Sequence, residues 1–137
     1  MNYFQLMLIK NLLALKKVLF SFAVGWTILV AYLCLISFKK LPSIGVSDAD
    51  KYVHFTLHFI FTLLWQLYSH FKLHKIRIGR VIGVTAISLS YGILIEFLQE
   101  TLTTTRQADV LDVLANFTGA LLASAVFVLI KKIKTAK

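Results

Sequence analysis

With 137 residues, 58% of them hydrophobic, and a mean hydropathy of +0.79, the chain is too apolar for an ordinary water-soluble domain and too short for a second one. A formal charge of +9 would suggest nucleic acid in a soluble protein, but here the bases flank apolar runs, the pattern of topology control and anionic-lipid contact. The single cysteine, Cys34, lies in the first long apolar run and excludes an intrachain disulfide.

Residues 1–15 are apolar nearly throughout, broken by Asn2, Gln5, Lys10 and Asn11, and read as an interfacial helix leading into the membrane. The apolar segment after Lys16 and Lys17 is longer than a usual signal-peptide core and lacks a small-x-small cleavage site, so an uncleaved first span is expected. Helices that cross the hydrocarbon need about 17–25 apolar residues with every backbone group bonded internally. By that rule four spans are expected, near 18–38, 52–71, 81–98 and 110–130. Pro42, with Ser43, Gly45 and Ser47, marks the first loop. The expected architecture is an all-α integral membrane bundle of four transmembrane helices with an N-terminal interfacial helix, one membrane domain over residues 1–137.

Charge distribution orients the bundle. With the N-terminus in the cytoplasm, the inner side holds Lys10, Lys16, Lys17, Lys72, Lys75, Arg77, Arg80, Lys131, Lys132, Lys134 and Lys137. The outer side holds Lys39, Lys40, Lys51 and Arg106. The positive-inside rule then places both termini in the cytoplasm, in the cytoplasmic (inner) membrane of a multi-pass protein. Every acid, namely Asp48, Asp50, Glu96, Glu100, Asp109 and Asp112, falls at the outer face.

Three helix ends therefore contribute ionisable groups to one membrane surface. The second span opens with Asp50, Lys51, His54 and His58, the last three on one helical stripe. The third closes with Glu96 and Gln99. In the fourth, Asp109, Asp112, Asn116 and Gly119 recur at helical spacing and continue to Ala123, with Arg106 in the loop before them. Turned inward, these stripes form an outward-opening polar pocket. Ser88, Gly92 and Glu96 on the third span, and Asn116, Gly119, Ala120 and Ala123 on the fourth, make small-residue strips that let these two helices meet closely. Trp26, Trp65 and the many phenylalanines read as lipid-facing or packing groups.

At these positions the chain resembles the VanZ-like membrane proteins, named after the accessory protein of glycopeptide-resistance clusters. The matching pattern is Asp50, Lys51 and His54, then Glu96 and Gln99, then Arg106, Asp112, Asn116 and Gly119, with DVLDVLANFTGALLA carrying most of the specificity; it covers residues 48–123. Two positions depart from it: His58 stands where a Tyr or Phe is expected, and Thr103, Thr104 and Thr105 replace a Pro or Gly before the arginine. The resemblance implies a role at the outer leaflet, in cell-envelope homeostasis or tolerance of teicoplanin-type glycopeptides.

Two roles for the polar residues stay open at this point. In one, Glu96, Arg106, Asp109 and Asp112 form an ion-paired latch that fixes how the third and fourth spans meet, in a non-catalytic scaffold or binding protein. In the other, Glu96 and Asp112 are general acid and base, His54 carries the proton, and Lys51 with Arg106 clamps an anion. Gln99, Asp109 and Asn116 complete the binding groups. The chemistry would be transfer or hydrolysis on a lipid-linked envelope substrate, although no nucleophile motif accompanies the set. His54 and His58 are spaced as two metal ligands on one turn, with Glu96 or Asp112 to complete a site, but the glutamate of H-E-x-x-H is absent and no metal or other cofactor is expected. Expected partners are membrane lipids and a lipid-linked substrate or lipoglycopeptide, with no nucleic acid. A proton path through the third and fourth spans is not expected, since their inner halves carry no ionisable residue.

Overall fold

The computed structural model describes residues 3–36, 49–73, 77–103 and 108–135. They form four α-helices: α1 (Tyr3–Leu35), α2 (Ala49–Leu73), α3 (Ile78–Leu102) and α4 (Val110–Thr135). The Pro42 loop, and Thr104, Thr105 and Arg106 before α4, lie outside the described residues.

One expectation needs correction, and a second is met only in part. No separate interfacial helix precedes the first span: α1 runs unbroken from Tyr3 to Leu35. Neither Pro nor Gly interrupts it before Val18, and Lys16 and Lys17 are good helix formers, so nothing ends the hydrogen-bond ladder there. Its 33 residues make a rod about 50 Å long, more than a hydrocarbon core about 30 Å thick can cover. The number of spans is met in part. Among the described residues three stretches are long and apolar enough to cross a membrane: Lys10–Leu35, Ile78–Leu102 and Val110–Lys132. The α2 helix has the length, at 25 residues, but Asp50, Lys51, His54, His58, Gln66 and His70 lower its hydropathy.

That polarity is matched by position. α2 touches all three other helices and lies most extensively against α4. The two backbones come close at Gly119, where a Cβ would run into the carbonyl oxygen of Phe55 and stand 3.1 Å from its carbonyl carbon. The small strip on α4 thus admits the backbone of α2 at Gly119, while Gly92 on α3 makes room for Asn116 of α4. α1 is tied on by polar bonds: Trp26 Nε1 donates to the Leu57 carbonyl at 3.0 Å, Tyr91 Oη to the Thr27 carbonyl at 2.6 Å, and Trp65 Nε1 to Thr27 Oγ1 at 3.2 Å.

The distribution of polarity is the reverse of a water-soluble protein. His54, His58, Thr62, Gln66, Glu96 and Asn116 are buried, whereas Phe22, Ile28, Ile87 and Leu129 are exposed. In lipid this is the favourable arrangement, because interhelical hydrogen bonds hold the bundle and apolar side chains face the acyl chains.

Candidate functional site

The polar residues converge where α2 begins, α3 ends and α4 begins. On α2 the step of three residues from Lys51 to His54 puts both on the face turned to α4. On α4 the steps of three and four from Asp109 to Asp112 to Asn116 do the same toward α2. Glu96 reaches them from α3, one turn before Gln99.

His54 is the centre of the cluster, and it is 2% exposed. Its Nδ1 lies 3.2 Å from Asn116 Oδ1 and 3.5 Å from Glu96 Oε1, while its Nε2 lies 3.6 Å from Asp112 Oδ2. One imidazole is thus bracketed by two carboxylates that are themselves buried, Glu96 at 3% and Asp112 at 6% exposure. With Asn116 Oδ1 accepting from Nδ1–H, the Nε2–Asp112 line needs a proton on one of its two ends. A bare lone pair facing a bare carboxylate would be repulsive.

Asp109 ties the three helix ends together. Its Oδ1 accepts the Leu111 backbone N–H at 2.8 Å, as a helix N-cap does, its Oδ2 accepts from Lys51 Nζ at 3.2 Å, and its own backbone N–H donates to Glu96 Oε2 at 3.3 Å. The Leu111 N–H first, and the Lys51 ammonium second, hold the Asp109 carboxyl below the usual range for an aspartate. Lys51 Nζ also lies 3.7 Å from Asp50 Oδ1 and 3.8 Å from Asp112 Oδ1, so one ammonium faces three carboxylates.

One sequence-derived candidate sits apart. Gln99 is buried and its Nε2 donates to the Cys34 carbonyl at 2.8 Å, fastening α3 to the end of α1. Arg106 lies outside the described residues. The Glu96–Asp109 contact was not visible in the sequence, since a backbone donor carries no residue-type signal.

A model of the VanZ/LLP1 family matches residues 3–131. The chain belongs to this family. No curated protein and no solved structure matches it. Together with the three apolar stretches, this makes the VanZ/LLP1 chain a membrane protein with an all-helical fold.

The departures from the VanZ-like pattern now have surroundings. His58 occupies an aromatic layer, with ring centroids 5.9 Å from Phe61 and 6.1 Å from Tyr91, and its Nδ1 lies 3.0 Å from Ser88 Oγ. An imidazole fits the space of a phenyl ring there and adds a polar contact to α3. Thr103 closes α3: its backbone N–H and its hydroxyl both donate to the Gln99 carbonyl, at 3.1 and 2.7 Å.

As for cations, the ligand atoms of His54, Glu96 and Asp112 lie within 4.8 Å of one another, as do those of Asp50, Asp109 and Asp112. His58 is in neither set. The His54 ring nitrogens are divided between the two carboxylates, which suits proton exchange better than one shared ion. A cavity of about 690 Å³ lies elsewhere: it opens between α3 and α4, with Ile82, Leu89, Phe117 and Leu129 in its lining, and none of the cluster residues lines it.

Proposed function

We propose that this VanZ/LLP1 protein acts at the outer face of the cytoplasmic membrane, where the His54–Glu96–Asp112 cluster performs acid–base chemistry on a lipid-linked envelope substrate. The consequence for the cell is envelope homeostasis or tolerance of teicoplanin-type glycopeptides. In this reading α2 is a fourth span. Its polar face is covered by the other three helices, and its low hydropathy therefore does not meet lipid. Both termini are cytoplasmic, from the asymmetry of Lys and Arg.

The observation that carries the reading is the single imidazole held between two buried carboxylates. Groups that hand a proton back and forth need to lie within about one hydrogen bond, or one water, of each other. Asp112 with His54 draws a proton from the attacking hydroxyl or water. Glu96 returns one to the leaving oxygen. Lys51, a quarter exposed beside them, attracts the phosphate of the substrate, and Arg106 is its proposed companion.

A second reading is favoured by Asp109, whose three bonds join α2, α3 and α4 without any substrate: a latch in a scaffold protein. Glu96→Gln and Asp112→Asn separate the two. Normal membrane abundance and heat stability with loss of the phenotype, and with an altered lipid or glycan profile of the membranes, support the enzyme. Loss of folded protein in both variants, or an unchanged profile in cells lacking the protein, would sink it.

A further inference from the structure

The polar face of α2 does not stop at the cluster. His54, His58, Thr62 and Gln66 follow one another at four-residue steps on one helical face, and all four are at most 2% exposed. The far end meets a small cavity of about 10 Å³, lined by Gln66, Ser69, His70, Arg77 and Arg80 among others. From His54 to His70 the helix rises about 24 Å, most of a hydrocarbon core about 30 Å thick.

Part of this seam is ordinary interhelical bonding. Gln66 Nε2 donates to the Val81 carbonyl at 3.0 Å and lies 3.3 Å from Ser124 Oγ, which is in turn 2.7 Å from Thr85 Oγ1. The middle is different. His58 Nε2, Thr62 Oγ1 and Asn116 Nδ2 are fully buried and have no hydrogen-bond partner. Thr62 stands out among its own kind. Thr27, Thr56, Thr85, Thr101 and Thr118 each donate to the carbonyl four residues earlier, the usual way for a helical threonine to satisfy its hydroxyl in apolar surroundings. Thr62 is 0% exposed and does not.

Buried polar atoms are nearly always bonded, and an orphan of this kind marks a place for water. The three orphans lie on one seam. Asn116, whose Oδ1 holds His54, also lies beside His58: a Cβ on Gly92 would be 2.8 Å from Asn116 Nδ2 and 3.1 Å from His58 Cε1. The cavity at the far end has the volume of about one water.

We infer that α2 carries a file of bound waters, held by His58, Thr62 and Gln66, through which the proton handled at His54 exchanges with the opposite membrane surface. The inference rests on the acid–base reading of His54. His58 takes a proton from a water at Nε2 as its Nδ1 gives one to Ser88 Oγ, whose hydroxyl passes its own proton on to a water, and each water does the same with its O–H bonds. Thr62 and Gln66 hold waters and keep their own protons, so no net charge stays in the seam.

The test uses the purified full chain in phosphatidylglycerol–phosphatidylcholine vesicles. Water-edited solid-state NMR is expected to give water cross-peaks at His58 and Thr62, and none at the buried apolar Ile95 and Ala120. A potassium gradient with valinomycin is expected to drive a proton flux above that of protein-free vesicles. Thr62→Val abolishes the flux, Thr62→Ser keeps it, and Thr56→Val on the exposed side of α2 leaves it unchanged. If Thr62 is as dry as Ile95, or if Thr62→Val conducts as the wild type does, the water file is wrong. Both measurements are made without substrate, so they fail separately from the site reading. A dry seam with Glu96→Gln still silent in cells removes only the file. A wet, conducting seam with wild-type behaviour of Glu96→Gln keeps the file and removes the chemistry it serves.

Discussion

Asn116 Oδ1 lies 3.2 Å from His54 Nδ1, on a side chain that is completely buried. That contact selects which ring nitrogen carries the proton, and hence which faces Asp112. Replacing the amide by an alkyl group of similar volume removes that acceptor from a buried imidazole N–H, a cost of about 1–3 kcal/mol. Asn116→Leu is therefore expected to lower the thermal stability in detergent and to shift the ¹⁵N tautomer signals of His54, while Asn116→Asp, which keeps an acceptor oxygen, retains the wild-type tautomer. Identical His54 spectra in Asn116→Leu and the wild type would show that the amide does not set the ring.

The helix-facing Gly119 makes a sharper prediction. A methyl group at residue 119 collides with the backbone of Phe55, which cannot rotate out of the way. Gly119→Ala must part α2 from α4, and overpacking of this kind costs about 1–3 kcal/mol or more. Gly83 is the control, because nothing stands within 4 Å of a Cβ there. Gly83→Ala is expected to be neutral, or stabilising by up to about 1 kcal/mol through helix propensity. Equal melting temperatures for the two variants would refute the close approach.

Much of this was legible from spacing. Lys51 with His54, and Asp109 with Asp112 and Asn116, recur at three and four residues inside apolar helices, and in lipid such stripes have to face one another. What spacing does not encode is the partner of each helix. Gly119 reads as part of a strip for α3, yet it is α2 that approaches there, because nothing in the sequence ranks two possible neighbours. The continuation of the α2 stripe through Thr62 and Gln66 is in the sequence, but neither residue is ionisable, and a helical threonine ordinarily bonds its own backbone. Only burial and the missing hydrogen bond of Thr62 set it apart.

Asp109 gives a pH dependence with a definite sign. Its carboxyl is held below the usual aspartate range by the Leu111 N–H and by Lys51. A group whose pKa is depressed by folding stabilises the folded state above its unfolded pKa, 3.8 here, and loses that contribution as pH falls through the lower folded value. Asp109→Asn should thus melt below the wild type at neutral pH, and the gap should close in strong acid. A gap that widens on acidification would contradict the assigned bonds.

The last prediction sets two bonds of one ammonium against each other. Lys51 Nζ is closer to Asp109, at 3.2 Å, than to Asp112, at 3.8 Å, but the Asp109 side chain is 40% exposed and that of Asp112 only 8%. Coulomb energy varies inversely with both separation and effective dielectric, and a change of 0.6 Å alters it far less than passage from solvent to interior. Salt screens the exposed pair as well. In double-mutant cycles built on Lys51→Met, the coupling to Asp112→Asn should be about 1–2 kcal/mol, larger than the coupling to Asp109→Asn, and it should persist at high salt where the other fades. A stronger coupling to Asp109 would mean that solvent reaches Asp112, and the buried carboxylate on which the proton chemistry depends would not exist.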